Sequence, residues 1–165
     1  MNIIVIIPAY NEEAAIGEVI AEIPKEWVRE IVVADNRSTD QTAARAREAG
    51  ATVVYEPLPA YGRACLRGMT YIQSLAVPPD IIVFVDGDHS DYPEQLPELV
   101  QPILEEGYDM VIGSRALGKR ERGSMTPQQV FGNWLATLLM RLIYGVRYTD
   151  LGPFRAIKWD KLLAL

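Results

Sequence analysis

The sequence predicts an α/β fold, a mostly parallel sheet flanked by helices, and three observations carry that expectation. Short runs rich in Ile and Val alternate with longer stretches of helical periodicity, each run ends in small or polar residues, and the 165-residue length suits one domain, 1–165, with its own core. Parallel strands are covered on both faces and so read as continuous apolar runs, and their alternation with helical patterns marks βαβ units. A chain of this size buries roughly 70% of its unfolded surface, enough for a core without disulfide staples.

The elements follow in order. Asn2 to Ile7 is the first strand, and the helix after it runs from about Glu12 to Ile23 with Asn11 as its expected N-cap. Glu30 to Ala34 is the second strand, followed by a helix from about Thr39 to Ala49; Ser38 and Gln41 have capping-box spacing, and Gly50 stands at the C-terminal stop. Thr52 to Tyr55 leads through Pro57 and Pro59 into a helix from about Gly62 to Leu75. Ile81 to Val85 leads through an acidic loop to Pro93, which suits the first turn of a helix running to about Glu106, with Asp91 as N-cap. Asp109 to Ile112 is the fifth strand. A basic stretch, Ser114 to Thr126, carries Arg115, Lys119, Arg120 and Arg122 and reads as a solvated loop; a helix from about Pro127 to Tyr144 follows, in which Trp134 and Leu138 have core spacing. The segment Asp150 to Ala156 then leads to a helix that opens near Lys158.

Composition removes several function classes. With 22 acids against 16 bases the formal charge is −6, so nucleic acid, which demands basic patches, is an unlikely partner. Any phosphate-bearing ligand must be met locally, by backbone amides or by a metal. The single Cys65 cannot pair within the chain, and no Cys/His cluster has zinc-site spacing; both point to a reducing, cytoplasmic setting. The N-terminal apolar run is too short and lacks the basic flank of a signal peptide. The stretch from Phe131 to Val146, interrupted by Asn133, Thr137 and Arg141, falls short of the ~20 residues of a membrane span, while peripheral contact with the inner membrane surface stays open.

Ligands of open parallel sheets bind outside the carboxyl ends of the strands, which makes those ends the places to inspect. The sharpest is the run Asp86, Gly87, Asp88, His89, Ser90, Asp91. Asp86 and Asp88, two apart in an extended segment, point their carboxylates the same way, and Gly87 lets the backbone approach a ligand closely. Two facing carboxylates repel unless a cation neutralises them, and Mg²⁺ or Mn²⁺ commonly bridges such acids to a substrate diphosphate. The bland alternative is an acidic turn capping the helix at Pro93. His89 is either an exposed loop histidine or a ligand or base; Asp35 either accepts from a base or ribose or caps the following helix; Tyr10 either stacks on a base or belongs to the core.

Six motifs in order then carry a resemblance: IPAYNEE (Ile7 to Glu13), VADNRSTDQT (Val33 to Thr42), YGRACLRG (Tyr61 to Gly68), DGDHSDYPE (Asp86 to Glu94), GSR (Gly113 to Arg115) and DLGPFRA (Asp150 to Ala156). Together they resemble the GT-A (Rossmann-like) glycosyltransferases of family 2, in the branch of dolichyl-phosphate mannosyltransferase and polyprenyl-phosphate glycosyltransferases. The resemblance implies a metal-dependent, inverting transfer of a sugar from a UDP- or GDP-linked donor to a polyprenyl-phosphate or other sugar acceptor, with Mg²⁺ or Mn²⁺. It places Pro8, Ala9, Tyr10 and Glu12 around the nucleoside, Asp35 at the base, and Gly62, Arg63 and Gly87 on the donor side. It makes Asp88 the direct metal ligand, sets Asp86 near the ribose or sugar, and leaves Ser90 a hydroxyl to offer the metal. Arg115 would approach the acceptor phosphate or the transferred sugar, and Asp150 would serve as base for a hydroxyl acceptor or orient the sugar for a phosphate acceptor. The chain departs from the family pattern at Asn36 and Arg37, where a second aspartate and a glycine are usual, and at Ala60-Tyr61-Gly62, where Gly-Lys-Gly is common; Ser90 stands where glutamine is frequent. Such enzymes normally continue past the last motif, so a chain that stops at Leu165 inside a helical pattern implies a donor half more complete than the acceptor half.

Two other classes compete. A nucleotidyltransferase of sugar phosphates would show a glycine- and lysine-rich first loop, which IPAYNEE does not match. A non-catalytic, receiver-like nucleotide-binding module would end its last strand in lysine, where this chain has Ser114 and Arg115.

Overall fold

A computed structural model describes residues 1–114 and 152–165. The chain divides into two compact units, one of residues 1–111 with 154–165 and the other of residues 112–153. The basic stretch after Ser114, the helix expected over Pro127 to Tyr144, Arg115 and Asp150 lie outside the described residues.

Among the described residues the sheet has six strands: β1 (Ile3–Ala9), β2 (Glu30–Asp35), β3 (Thr52–Tyr55), β4 (Ile81–Phe84), β5 (Met110–Ile112) and β6 (Arg155–Lys158). Their order is β3-β2-β1-β4-β6-β5. β1 pairs in parallel with β2 and with β4, and β2 with β3, so the parallel core is as expected. β6 is a departure. The sequence reading leaves Arg155–Lys158 between a loop and a helix, yet it forms an antiparallel strand against β4, with Phe84 opposite Arg155 and Ile81 opposite Lys158. β5 is thereby separated from β4.

Helices α1 (Ile16–Glu22), α2 (Thr42–Glu48), α3 (Tyr61–Gln73), α4 (Leu96–Glu105) and α5 (Trp159–Leu163) cover both faces. Alternate residues of β1 divide between two cores. Ile3, Val5 and Ile7 pack with Ile16 and Ile20 of α1, Ala46 of α2 and Leu96 and Val100 of α4. Ile4 and Ile6 pack with Ile72 of α3, Phe84 of β4 and Trp159 of α5. This is the period-2 alternation of a strand, with both faces buried because helices lie on each. α1 and α2 carry the chain from β1 outward to β3, and α3 brings it back past β2 and β1 to β4. Reversal of direction with right-handed crossovers requires the opposite face, which is where α3 lies. Gly68 allows that return: a Cβ there would stand 2.8 Å from Ile6 Cγ2, so only glycine lets α3 sit this close to the sheet.

The helix starts differ from expectation in an informative way. α1 begins at Ile16 with Ala15 as N-cap, and α2 at Thr42 with Gln41 as N-cap, neither with a side-chain cap. Pro93–Gln95 forms a 3-10 turn ahead of α4, preceded by Tyr92 rather than capped by Asp91. Of the polar side chains expected to cap, Asn11 and Ser38 bond between loops instead, and Asp91 accepts from the Asp86 N–H within its own loop. Gly50 does terminate α2, at φ +91°, the left-handed conformation that glycine adopts without strain.

Candidate functional site

β1 continues to β2 on one side and has β4 on the other, so the direction of the strand order switches between β1 and β4. Crevices open at such points, outside the carboxyl ends of the strands. Here a cleft of about 500 Å³ is walled by Pro8, Tyr10 and Glu12 from β1 and its loop, Asn36 and Arg37 after β2, Tyr61 at the start of α3, and Asp86 and Asp88 after β4. Ala9 and Gly87 also line it.

The loops that carry these residues are locked to one another through backbone amides. The Asn11 N–H donates to Ser38 Oγ at 3.0 Å, and the Thr39 N–H returns a bond to Asn11 Oδ1 at 2.8 Å. The Glu12 N–H donates to Thr42 Oγ1 at 2.8 Å, the Glu13 N–H to Asp40 Oδ2 at 3.2 Å, and the Gln41 N–H to Glu13 Oε2 at 2.9 Å. Five reciprocal bonds thus tie the loop after β1 to the loop after β2. Left-handed backbone at Asn11 (φ 56°) and Arg37 (φ 67°) lies within these two loops. Few side chains adopt that conformation freely, and asparagine tolerates it better than arginine. The hydrogen bonds hold both loops in it.

Asn36 organises a third loop. Buried at 8% exposure, it donates through Nδ2 to the carbonyls of Leu58 at 2.7 Å and Glu56 at 3.3 Å, and accepts from the Ala60 N–H at 2.9 Å. Those bonds fix the segment that delivers Tyr61. Asp35 is buried beside it and accepts from the Ser38 N–H at 3.1 Å; it is not among the residues of the cleft wall. Its loop-bracing role is the capping alternative in a modified form, since it braces the turn before α2 rather than the helix itself.

The acidic loop packs tightly against β1. A Cβ on Gly87 would lie 3.4 Å from the Pro8 carbonyl oxygen and 3.5 Å from Glu12 Cγ, in ordinary contact with the neighbouring strand end. The Asp86 N–H donates to Asp91 Oδ2 at 3.1 Å, and Asp91 is buried. The Ser90 N–H donates to Asp88 Oδ1 at 2.9 Å, an Asx-type turn that presents the exposed Asp88 toward the cleft. Ser90 itself is exposed. His89, at φ 61°, pairs with Glu22 Oε2 at 2.9 Å and does not line the cleft.

Charge is concentrated here. Burial, followed by the charges of Asp88, Asp40 and Asp86, pushes the Glu12 carboxyl above the usual glutamate range. Among the described residues no three His, Cys, Asp or Glu side chains form a ready metal cage. The donor set is nonetheless all-oxygen, with Asp86 and Asp88 on one loop and Glu12 across from them, and suits a hard cation that completes its shell with substrate oxygens.

Several contributors escaped the sequence reading, Asn36 and Arg37 among them. From the third motif, Tyr61 and Ala64 reach the cleft, whereas Gly62 and Arg63 are exposed and outside its wall. Tyr61 Oη donates to Asp86 Oδ1 at 3.0 Å. Arg155, on the unforeseen strand β6, places its guanidinium 5.8 Å from the Phe84 ring centroid, and its charge acts on Tyr61 and Cys65. It lies inside the quoted DLGPFRA motif, which was the available signal. Tyr10, at 59% exposure, is a cleft residue and no part of the core.

A mostly parallel sheet with one antiparallel strand beside β4, and an acid-lined cleft at its switch point, define a GT-A type nucleotide-sugar transferase fold. The chain belongs to glycosyl transferase family 2, whose model matches residues 4–162. It is 36% identical over 149 residues to an uncharacterized protein of Methanocaldococcus jannaschii, covering 90% of this chain and 61% of that one. It is 34% identical over 157 residues to the low-salt glycan biosynthesis hexosyltransferase Agl6 of Haloferax volcanii, covering 88% of this chain and 35% of the relative. Among solved structures, glucosyl-3-phosphoglycerate synthase from Mycobacterium tuberculosis, in complex with Mn²⁺, uridine diphosphate and phosphoglyceric acid, is similar with a TM-score of 0.75 at 30% identity; the match covers 99% of this chain and 58% of the synthase. The chain therefore spans about three fifths of the first of these relatives and of the synthase. Among the described residues no helix is long and apolar enough to cross a membrane.

Proposed function

We propose that the chain holds the donor site of an inverting glycosyltransferase that takes a sugar from a UDP- or GDP-linked donor, with Mg²⁺ or Mn²⁺, and passes it to a phosphate-bearing acceptor such as a polyprenyl phosphate. The observation that carries this reading is the convergence of Glu12, Asp86 and Asp88 on one cleft at the β1/β4 switch point. An acidic cleft has no use for an anionic diphosphate unless a cation stands between them. The Mn²⁺ and uridine diphosphate bound in the similar synthase support the donor and metal classes, and its phosphoglyceric acid supports an acceptor that carries phosphate. A relative from Methanococcus voltae, a UDP-N-acetylglucosamine–dolichyl-phosphate N-acetylglucosaminyltransferase, 26% identical over 166 residues, supports the lipid-phosphate choice.

In this reading Asp88 and Asp86 hold the cation, and Ser90 offers its hydroxyl. When bound, the cation neutralises charge on the leaving diphosphate. Pro8, Ala9 and Tyr10 form the nucleoside wall, Tyr10 supplying an exposed ring for stacking. The interlocked loops hold this wall before the donor arrives, so little ordering is left to be done on binding. Arg115 approaches the acceptor or the transferred sugar. Asp150 takes the proton of a hydroxyl acceptor; a phosphate acceptor is already anionic, and Asp150 then orients the sugar.

The test is thermal unfolding with UDP, GDP, ADP and CDP, each with and without Mn²⁺. The expected result is a metal-dependent rise in melting temperature with UDP or GDP, lost in Asp88→Asn. Equal shifts without metal, or none with any nucleotide, would refute the reading.

A further inference from the structure

The third motif replaces the lysine common in this family with a tyrosine, and the structure puts that tyrosine on an acid of the cleft. Tyr61 is the first residue of α3, held there by the Asn36 bonds to Glu56, Leu58 and Ala60. Its phenol donates to Asp86 Oδ1 at 3.0 Å, and the Asp86 backbone N–H is separately anchored on the buried Asp91. The Asp86 residue is thus fixed twice, at its amide from its own loop and at its carboxylate from α3. We propose that Tyr61 is a positioning residue of the donor cleft, presetting the Asp86 carboxylate for the ribose or diphosphate-metal group of the donor while adding no positive charge to the acidic cluster. The proposal rests on the donor-site reading above.

The chemistry of the substitution makes the point. A lysine at this position would bring an ammonium against Asp86 and partly discharge Glu12, Asp86 and Asp88. A phenol orients by one hydrogen bond and leaves the acids negative. A phenol is a neutral donor at neutral pH. Arg155 places its guanidinium 5.8 Å from the Phe84 ring centroid on the neighbouring strand.

Calorimetric titration of UDP and GDP in Mn²⁺ tests this with wild type, Tyr61→Phe and Tyr61→Lys, alongside Mn²⁺ titrations without nucleotide followed by electron paramagnetic resonance. Tyr61→Phe is expected to weaken Mn²⁺-nucleotide binding by about ten- to a hundredfold, the scale of one lost hydrogen bond to a charged group, with the ligand-free melting temperature unchanged. Tyr61 is about half exposed, so the phenylalanine is easily housed. Tyr61→Lys is expected to weaken binding of Mn²⁺ alone and to allow nucleotide to bind at lower Mn²⁺. Wild-type affinity in Tyr61→Phe, or wild-type Mn²⁺ dependence in Tyr61→Lys, would overturn the proposal while leaving the donor site intact. A fall in melting temperature with unchanged affinity would reduce Tyr61 to a structural role and overturn it as well. Failure of the wild type to bind either nucleotide would overturn the donor reading and this inference together.

Discussion

Glu12 is the cleft residue at which crowded negative charge works against stability. It follows directly on the loop after β1, half-buried, with Asp88, Asp40 and Asp86 pressing on it, and its carboxyl is raised above the usual value of 4.5 as a result. A carboxyl with a raised folded-state value binds its proton more tightly folded than unfolded, so its penalty is present at neutral pH and is relieved as pH falls through the raised value. Glu12→Gln should therefore raise the melting temperature of the metal-free protein at pH 7, and the gain should vanish at a pH below the ordinary glutamate value. Calorimetric melting across that range checks it, and a destabilised Glu12→Gln at neutral pH would contradict the electrostatic picture. The same scale shows what a sequence withholds. That Asp86, Asp88 and Glu12 are acids at strand ends is legible. That Asp35 turns inward to the Ser38 amide three residues on, while Tyr61 turns toward Asp86, 25 residues away, depends on loop conformations that no local pattern encodes.

At the level of elements, the loops after β1 and β2 behave as one unit. Their Asn, Ser, Thr and Asp side chains carry the local signature of helix caps, because such groups accept readily from nearby amides. Here the nearest amides in space belong to the other loop, and the caps become cross-ties, which is why the helix starts at Asn11 and Ser38 were misplaced by several residues. Thr42 is the tie most open to test. It is fully buried, accepts from the Glu12 N–H and donates to Asp40 Oδ1. Thr42→Val conserves shape and leaves the Glu12 N–H without its acceptor, while Asp40 Oδ1 keeps the Thr42 N–H; this should cost about 1–3 kcal/mol, read as a lower urea midpoint, and Thr42→Ser should keep most of that stability. An unchanged midpoint in the valine variant would mean that the loops are not held by these bonds. The strands themselves were readable from their Ile/Val runs, except β6. Arg155–Lys158 has only two apolar residues between basic ends, and its place between β4 and β5 is a long-range pairing that no local pattern encodes.

For the whole molecule, the topology does the positioning. Reversal of the strand order at β1/β4 opens the crevice, α3 returns over the far face on the clearance that Gly68 provides, and its first residue meets the acid loop of β4. The family, the fold and the order of the motifs were all carried by the sequence, since the motifs after β1, β2 and β4 mark the carboxyl ends of parallel strands, which converge in this architecture. The opening charge balance also gains a location: part of the −6 is the cluster of Glu12, Asp86 and Asp88 on one cleft. Crystals grown with Mn²⁺ and UDP or GDP, measured at the manganese edge, test the central claim most directly. The account predicts one anomalous peak in the β1/β4 cleft, bonded to Asp88 at about 2.1 Å and to the diphosphate. A nucleotide seated in the cleft with no manganese at Asp88, or manganese bound only elsewhere, would contradict it.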